Sequence, residues 1–372
     1  MLSTPSPRSN LRIYDRLRSA HIERLADMVP ATMWYLDTRV DFDSSLIDPD
    51  NPPRRMRQRD VVIQLARQSF DGIELNEPAS LDLWPMLLAS TAAVRARDLL
   101  TRHHTVITTY CIENAVTADK ASDRWGLPTW LAGLITRSVV SALTLGTNRM
   151  AFGTAGSLTA YEHMTGHRLM RSRSRLFEAL PSPCSCLSAH LETSQHPAEV
   201  LFLGSFLERK GIRQTMAAWD ALREIRPTAH LRMIGTGRLQ AEVETWARGR
   251  EDVKLELDPP RDRIHEVLRD RPVVILLSQR VGTWREQIGL PVLEGIAHGC
   301  EVVTTTETGL ADWLESHGHS VVAPTTPALG IARHIDGALD RRATRSGSLA
   351  ELPAVDQRIA ADRWMFQAAD ES

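Results

Sequence analysis

The stretch W-R-E-Q-I-G-L-P-V-L-E-G-I-A-H-G, residues 284–299, decides the predicted fold. The apolar run at residues 273–277 before it is typical of a buried parallel strand. Gly289 gives a permissive backbone and Pro291 suits a first helical turn, so we expect a helix to begin near Leu290. A strand, a loop and a helix in this order predict a unit whose first helical amides can hold an anion.

Two glutamates flank this anion site, Glu286 just before the helix and Glu294 one turn into it. A carboxylate beside a phosphate is electrostatically unfavourable, so we expect both to accept hydrogen bonds from hydroxyl groups. A sugar and a ribose supply such hydroxyls. The alternative is a surface helix that carries two solvated glutamates.

The spacing Glu286-x7-Glu294, with Gly289-Leu290-Pro291 between, resembles the E-x7-E signature of retaining family-4 (glycosyl transferases group 1) nucleotide-sugar glycosyltransferases. The wider match is R-E-Q-I-G-L-P-V-L-E-G-I-A-H-G-C-E-V-V-T-T. The resemblance implies the α/β GT-B fold, with two Rossmann-like, doubly wound parallel-sheet domains that face a central cleft. It is specific over residues 200–323 and architectural before them.

Length and composition fit this organisation, because 372 residues suit two domains. We predict an N-terminal acceptor domain at 1–185, a Pro- and Ser-containing linker at 186–198 and a donor domain at 199–350. The resemblance implies a tail helix at 356–372 that packs back on the first domain through Trp364, Met365 and Phe366.

Charge and hydropathy exclude several classes of protein. A net charge of −2 gives no global attraction to nucleic acid. The N-terminus has no apolar core, and charge-free runs fall short of the about 20 residues of a membrane-spanning helix. We therefore expect a cytoplasmic protein without a transmembrane segment. Four arginines at 167–175 leave peripheral contact with a membrane open, although a solvated strand edge is the favoured interpretation.

The N-terminal half alternates helices and strands, which predicts a parallel sheet. We expect residues 16–28 to form a helix and residues 32–36, 72–75, 105–110, 150–153 and 174–180 to form strands. Residues 8–20 hold no glycine, whereas the family usually has a Gly-rich loop after its first strand. Polar residues beyond two strand ends are candidates for binding the acceptor, unless they only bond loop backbone or cap helices: Glu77, Tyr110, Glu113 and Asn114.

The C-terminal half begins with a strand at 199–203 and a loop from Gly204 to a Lys-Gly pair. Lys210 is expected to neutralise the charge of a leaving diphosphate. Many resembling enzymes have an arginine where this chain has Ser205, and Arg209 is the candidate to compensate. Gly235, after the next strand, would let the backbone approach a nucleotide, although a tight turn explains it equally well.

The resemblance implies transfer of a hexose from a nucleotide diphosphate sugar to an acceptor hydroxyl on a glycan, lipid carrier or secondary metabolite, with retention of configuration. It implies no cofactor and no metal. A catalytically silent binding subunit, an epimerase and a phosphorylase remain open as well. The predicted catalytic residues are Glu286 and Lys210, and the predicted donor-binding residues are Glu294, Arg209, Ser205, Gly204, Gly235, Gly289, Leu290 and Ser278.

The cysteine pair Cys184-Ser-Cys186 is compatible with metal chelation or with a reduced thiol pair. No second pair of Cys or His stands at a ligand spacing in the sequence, so we favour reduced thiols.

Overall fold

The computed structural model describes residues 9–39, 42–171, 173–189, 199–344 and 348–367. It divides into two compact units, Met1–Glu178 with Arg358–Ser372, and Ala179–Gln357. Each unit is built on one parallel sheet, which confirms the predicted α/β class. Residues 190–198 of the predicted linker and 368–372 of the predicted tail lie outside the described residues.

The first unit contains a seven-stranded sheet in the order β3-β2-β1-β4-β5-β6-β7. Its strands are β1 (Asn10–Leu17), β2 (Thr32–Thr38), β3 (Arg54–Arg55), β4 (Gly72–Leu75), β5 (Val106–Cys111), β6 (Arg149–Phe152) and β7 (Ser174–Leu176). Its helices are α1 (Ser19–Glu23), α2 (Gln58–Arg67), α3 (Trp84–Thr101), α4 (Thr117–Trp125), α5 (Thr129–Gly146), α6 (Ala155–Thr165) and α7 (His167–Arg171).

The start of the chain differs from the prediction. A helix over residues 16–28 is wrong, because β1 continues to Leu17 and the helix α1 begins only at Ser19. The strand lies between β2 and β4, where both of its faces are buried. Its polar Arg12, which is 1% exposed, breaks the apolar pattern that would have marked a buried strand.

The second unit contains a six-stranded sheet in the order β10-β9-β8-β11-β12-β13. Its strands are β8 (Glu199–Leu203), β9 (His230–Ile234), β10 (Val253–Glu256), β11 (Val273–Leu276), β12 (Val302–Thr305) and β13 (Ser320–Val322). Its helices are α8 (Ile212–Ile225), α9 (Gln240–Ala247), α10 (Arg261–Arg269), α11 (Leu290–Ala297), α12 (Ala311–Ser316) and α13 (Ala328–Thr344).

The strands of the second unit are covered on both faces. Along β8, Val200 and Phe202 belong to one hydrophobic cluster, which includes Trp219 of α8. Leu201 alternates with them and belongs to another cluster, which includes residues of α10. Because side chains of a strand alternate between faces, this division shows a doubly wound sheet.

The last helix, α14 (Gln357–Phe366), packs on the first unit. Its Asp362 is fully buried and accepts hydrogen bonds from Arg12 of β1 at 2.7 and 2.8 Å. Arg358 donates to Glu74 of β4 at 2.5 Å. The ring of Phe366 lies where a Cβ on Gly72 would come within 2.7 Å of it, so the glycine permits the close approach.

Helix α5 is the one helix of the described residues that is long and apolar enough to cross a membrane. Its Val140 and Leu143 are buried in the main core cluster of the first unit. Trp130 and Leu134, on the same helix, are 72% and 59% exposed. The helix thus forms part of the domain core and also presents an apolar surface to solvent.

Candidate functional site

The order of the second sheet reverses between β8 and β11. These strands pair directly, with Val273 beside Val200 and Ile275 beside Phe202. Ligands of open parallel sheets bind beyond the carboxyl ends of the strands at such a switch point. The loops that follow β8 and β11 therefore begin next to each other, and they carry most of the predicted donor-site residues.

Lys210 and Glu286 meet at this point. The Lys210 Nζ lies 2.5 Å from the Glu286 Oε2, and the two side chains are only 13% and 10% exposed. The Ser278 hydroxyl, at the end of β11, donates to the same Glu286 oxygen at 3.3 Å. The structure thus brings together three of the predicted residues as one partly desolvated network.

The backbone beside Lys210 requires glycine at the next position. Gly211 has a φ of 74°, and a Cβ there would lie 1.9 Å from the carbonyl oxygen of Leu277. The Gln279 amide also donates to the Arg209 carbonyl at 2.9 Å. These contacts hold the Lys-Gly turn directly against the loop after β11.

Trp284 is a site residue that the sequence analysis quoted but gave no role. The Arg209 guanidinium stacks over its ring at 4.2 Å from the centroid, and the Lys210 ammonium lies 5.9 Å from the same centroid. Trp284 therefore makes cation–π contacts with both cations of the Lys-Gly turn.

The glycines of the neighbouring loops pack against each other. Gly235 has a φ of 149°, and a Cβ there would lie 1.9 Å from the Gly204 carbonyl oxygen. A Cβ on Gly204 would lie 3.6 Å from Pro291, so this loop borders the start of α11. Ser205, which directly follows Gly204, is exposed. Close approach of the backbone is sufficient to explain glycine at position 235, and a φ of 137° explains it at position 204.

The first turn of α11 begins at Gly289, whose φ is 87°. Pro291 has no amide hydrogen, and the amides of Val292 and Leu293 donate to the Gly289 carbonyl. The amides of Gly289 and Leu290 are the remaining donors of this turn that are suited to an anion.

Glu294 lies one turn further along α11 and pairs with Arg261. The Arg261 Nη1 donates to its Oε1 at 2.7 Å, and the two side chains are 27% and 23% exposed. No pattern in the sequence singles out Arg261, which lies at the first position of α10 in an otherwise ordinary charged helix. The glutamate is thus oriented by a cation that belongs to the neighbouring helix.

Buried threonine hydroxyls fix the ends of β11 and β12. The Thr305 hydroxyl donates to the Ser278 carbonyl at 2.6 Å. The hydroxyls of Thr308 and Thr304 are hydrogen-bonded at 2.7 Å. These bonds fix the strand end that carries Ser278.

The four acceptor candidates lie in the first unit. Glu77 accepts hydrogen bonds from the amides of Ile112 and Glu113, both at 3.1 Å. Desolvation, with the nearby Glu113 carboxylate, raises the pKa of Glu77 to about 8.

Tyr110, Glu113 and Asn114 surround the same strand end. The Tyr110 ring lies 4.6 Å from the Arg358 guanidinium, and Glu113 is paired with Lys120. Asn114 follows on this loop and is half-buried. Glu77 thus accepts hydrogen bonds from loop backbone, which is the alternative that the sequence left open. The acceptor role of all four residues stays a prediction.

The cysteine pair has partners that the sequence did not reveal. His265 and His298 lie beside Cys184 and Cys186, and the four ligand atoms are all within 4.8 Å of one another. Although no second Cys or His pair stands at a ligand spacing in the sequence, the fold brings two separate histidines to the cysteine pair. This cluster is the group in the described residues that is suited to hold a metal ion.

Comparisons with known proteins agree with this architecture. Residues 188–347 match the model of the family described as Glycosyl transferases group 1. No curated protein matches the sequence.

Several solved structures share the fold over nearly the whole chain. HepE of Anabaena in complex with UDP-glucose is 13% identical, with a TM-score of 0.63 over 98% of this chain and 100% of that chain. The lipopolysaccharide outer core galactosyltransferase WaaB in its apo form is 11% identical, with a TM-score of 0.60 over 96% of this chain and 98% of that one.

Sucrose-phosphate synthase from Thermosynechococcus elongatus is 14% identical, with a TM-score of 0.57 over 96% of this chain and 95% of that one. At these identities the likeness is one of fold. Residues 188–347 match the glycosyl transferases group 1 family, and the whole chain has the GT-B fold of these solved glycosyltransferases.

Proposed function

We propose that the protein is a retaining hexosyltransferase that takes a hexose from a nucleoside diphosphate sugar and transfers it to an acceptor hydroxyl. The observation that carries the proposal is the contact between Lys210 and Glu286 at the switch point of the second sheet. This contact lies inside the region that matches the family. HepE was crystallised with UDP-glucose, so a uridine diphosphate hexose is the first donor to test.

The charges of the site suit a diphosphate leaving group. When the bond between the sugar and the phosphate breaks, negative charge develops on the diphosphate. Lys210 and Arg209 both lie against Trp284. We expect them to stabilise that charge together with the amides of Gly289 and Leu290. Since these groups supply the positive charge, we propose that catalysis needs no bound metal ion.

Glu286 is proposed to hold the transferred sugar. Its Oε2 accepts hydrogen bonds from both Lys210 and Ser278. A bound diphosphate would compete for Lys210, and the carboxylate would then accept hydrogen bonds from sugar hydroxyls. The departing phosphate oxygen takes the acceptor proton as the acceptor oxygen bonds to the anomeric carbon, so no separate base is required.

Glu294 is proposed to accept hydrogen bonds from the ribose hydroxyls. Its Oε1 is held by Arg261, and its side chain remains 23% exposed. A carboxylate anchored by an arginine on one oxygen can accept from the two hydroxyls of a ribose on the other. Arg261 is then a positioning residue for nucleotide binding.

The acceptor and the compartment complete the proposal. We propose that the acceptor binds to the first unit near Glu77, where polar side chains follow β4 and β5. We also propose a cytoplasmic location, which the four free cysteines of the chain support.

The proposal is tested by measuring binding of UDP, GDP and ADP by calorimetry, followed by hydrolysis and transfer with the matching sugar nucleotides. We expect one nucleotide to bind, and Lys210→Ala to lower turnover by about 100- to 1,000-fold. Lys254→Ala is the matched control, because that side chain is 60% exposed and lies on β10.

Three rival functions give different results in the same assays. Ser205, in place of an arginine, and the absence of glycine from residues 8–20 are the features that support a silent binding subunit. Such a subunit would bind no nucleotide and hydrolyse no donor. An epimerase would interconvert sugar nucleotides without an acceptor. A phosphorylase would require inorganic phosphate.

A further inference from the structure

A quartet of ligand atoms lies in the second unit, and none of its residues belongs to the Lys210–Glu286–Ser278 network. It consists of Cys184, Cys186, His265 and His298, which we name the Cys–His quartet. Cys186 belongs to a short 3-10 helix, Ser185–Ala189, and Cys184 directly precedes it. His265 lies on α10, and His298 directly follows α11. We propose that the Cys–His quartet binds one zinc ion.

The distances are those of four ligands around a single ion. The Cys184 Sγ lies 3.6 Å from the His265 Nδ1, and the Cys186 Sγ lies 3.2 Å from the His298 Nε2. The two ring nitrogens are 3.2 Å apart, and the two sulfurs 3.1 Å apart. Zinc bonds of about 2.3 Å to sulfur and about 2.0 Å to nitrogen predict tetrahedral edges of about 3.3 to 3.8 Å.

Small shifts of the two cysteines would complete this geometry. The two edges that join a sulfur to the other nitrogen are also within the 4.8 Å that bounds the group. The sulfurs must separate by about 0.7 Å to reach the sulfur–sulfur edge of such a site, and the cysteine side chains are only half-buried. The site therefore needs adjustment of side chains but no rearrangement of helices.

One histidine is already oriented as a ligand. The His298 Nδ1 lies 2.6 Å from the carbonyl oxygen of Glu294. A carbonyl only accepts, so the proton is on Nδ1 and the lone pair of Nε2 points into the quartet. Such a hydrogen bond on the outer nitrogen is the usual support of a metal-bound histidine.

The backbone holds the cysteines in the same place. The Cys184 amide donates to the Ala297 carbonyl at 2.8 Å, next to His298. A main-chain hydrogen bond thus joins Cys184 to Ala297, the residue before His298, without any metal. This contact reduces the entropy cost of assembling the site.

The ligand set selects the metal. Two sulfurs and two imidazole nitrogens in tetrahedral arrangement are typical of zinc. A cluster of two irons would need its ligands distributed over two metal centres, whereas these four atoms converge on one point. Two thiolates balance the charge of one divalent ion, which suits a partly buried position.

The site would connect the two helices that bear Arg261 and Glu294. His265 lies one turn after Arg261 on α10, and His298 lies one turn after Glu294 at the end of α11. Zinc with four protein ligands has no open position for substrate, so its role is structural. It would fix α10 against α11 and thereby position the Arg261–Glu294 pair.

The first experiment measures metal in the whole protein, purified without chelator. We expect about one zinc per chain by mass spectrometry of the metal, and a cobalt-substituted protein with the strong visible absorption of tetrahedral cobalt bound to thiolates. Folded wild-type protein that takes up neither metal would overturn the proposal, without any use of transferase activity.

Matched variants test the ligands. His265→Ala and Cys184→Ala should each weaken zinc binding by at least about tenfold, because even loss of a supporting residue has that effect. His334→Ala, an exposed histidine of α13, and Cys111→Ala, a buried cysteine of the first unit, should keep the zinc. Equal zinc in all four variants would mean an adventitious ion only, and the proposal would be wrong.

A variant that fails to fold is covered by a measurement on the wild-type protein. Titration with a mercurial that modifies thiols should release zinc in proportion to the two cysteines modified, as followed with a coloured zinc indicator. Removal of zinc should also lower Tm by about 10 °C. Release of no zinc after both thiols have reacted would contradict cysteine ligation.

Discussion

The carboxylate of Glu286 accepts a hydrogen bond from the ammonium of Lys210 at 2.5 Å, although the two residues are 76 positions apart in the sequence. Direct pairing of β8 with β11 explains the contact, because each residue lies on the loop that follows one of these strands. The pair also explains how a cation and an anion share a site with little solvent exposure. Neither charge is left uncompensated before the donor binds.

Replacing Glu286 should separate catalysis from folding. Glu286→Gln keeps the size of the side chain but removes the charge that Lys210 and the sugar hydroxyls recognise. We expect turnover to fall by about 100-fold or more, with an unchanged circular dichroism spectrum. Glu244→Gln, at an exposed position of α9, is the control. A turnover near that of the wild type would remove Glu286 from the site.

Glu294 should affect nucleotide affinity rather than the chemical step. Glu294→Ala is expected to raise the donor KM about tenfold with little change in kcat, since about 1.4 kcal/mol of binding is lost. Arg261→Ala should have a smaller effect in the same direction. The decisive comparison is with a 2′,3′-dideoxynucleotide, which lacks both hydroxyls and should bind wild type and Glu294→Ala equally. If the variant loses as much affinity for the dideoxynucleotide, the carboxylate does not bind the ribose hydroxyls.

Treatment with a chelator should distinguish a metal ion needed for catalysis from the zinc ion proposed for the Cys–His quartet. A brief exposure to EDTA is expected to leave donor turnover unchanged, because Lys210 and Arg209 supply the positive charge at the diphosphate. Turnover is measured with and without added Mg²⁺ or Mn²⁺. Loss of activity that Mg²⁺ restores would show a catalytic metal and contradict the proposed mechanism, whereas slow loss restored by zinc would report on the quartet.

The raised pKa of Glu77 predicts a pH-dependent stability. The folded value of about 8 lies above the ordinary value of 4.5, so the folded chain keeps a proton there that the unfolded chain loses. This contribution to stability falls as pH rises through that interval, by up to about 1.4 kcal/mol per pH unit. Chemical denaturation at pH 5, 6, 7 and 8 measures it.

Glu77→Gln should remove that slope, because the amide carbonyl still accepts from Ile112 and Glu113 but does not titrate. Glu178→Gln, an exposed residue of the same unit, should leave the slope unchanged. Identical pH profiles for wild type and Glu77→Gln would show that the buried carboxyl titrates normally.

The buried ion pair of α14 should be important for the stability of the first unit. Asp362→Ala leaves the guanidinium of Arg12 buried without its main partner, which is expected to cost about 3 to 5 kcal/mol of unfolding free energy. Asp340→Ala breaks a pair whose carboxylate is 67% exposed and should cost no more than about 1 kcal/mol.

Replacing both partners, Arg12→Met with Asp362→Leu, should recover most of the loss, since no buried charge remains unpaired. Denaturant unfolding of the three variants gives the comparison. A loss in Asp362→Ala no larger than that of the surface control would show that solvent reaches Arg12.

Much of the second unit is predictable from its apolar runs. The strand Glu199–Leu203 and the start of α11 at Leu290 occur where the sequence indicates them, because buried parallel strands and a Gly-x-Pro helix start leave clear patterns. The strand β1, in contrast, was not predicted, because the charged Arg12 interrupts its apolar pattern. Its charge is neutralised by Asp362, which follows 350 positions later, and no local pattern reveals such a partner.

The contacts of the candidate site also divide into those that the sequence indicates and those that depend on packing between distant elements. Adjacent strands bring Lys210 to Glu286, and the family resemblance selected both residues, although their roles stay a prediction. Arg261 and the histidines of the Cys–His quartet depend on how α10 packs against α11. That packing joins Cys184 to His265 across 81 positions, a distance at which sequence spacing carries no information.

The position of α14 has a consequence for synthesis on the ribosome. Domains of nascent chains generally fold in order of emergence, N-terminal first. Here Arg12, near the beginning of the chain, can form its ion pair with Asp362 only after that residue, near the end, has been synthesised. The second unit has therefore emerged before the first can finish folding. The unit that is made first is therefore the last to finish folding. A chain stopped before residue 357 would have every strand of the first sheet but would present Arg12 without its partner Asp362 to chaperones.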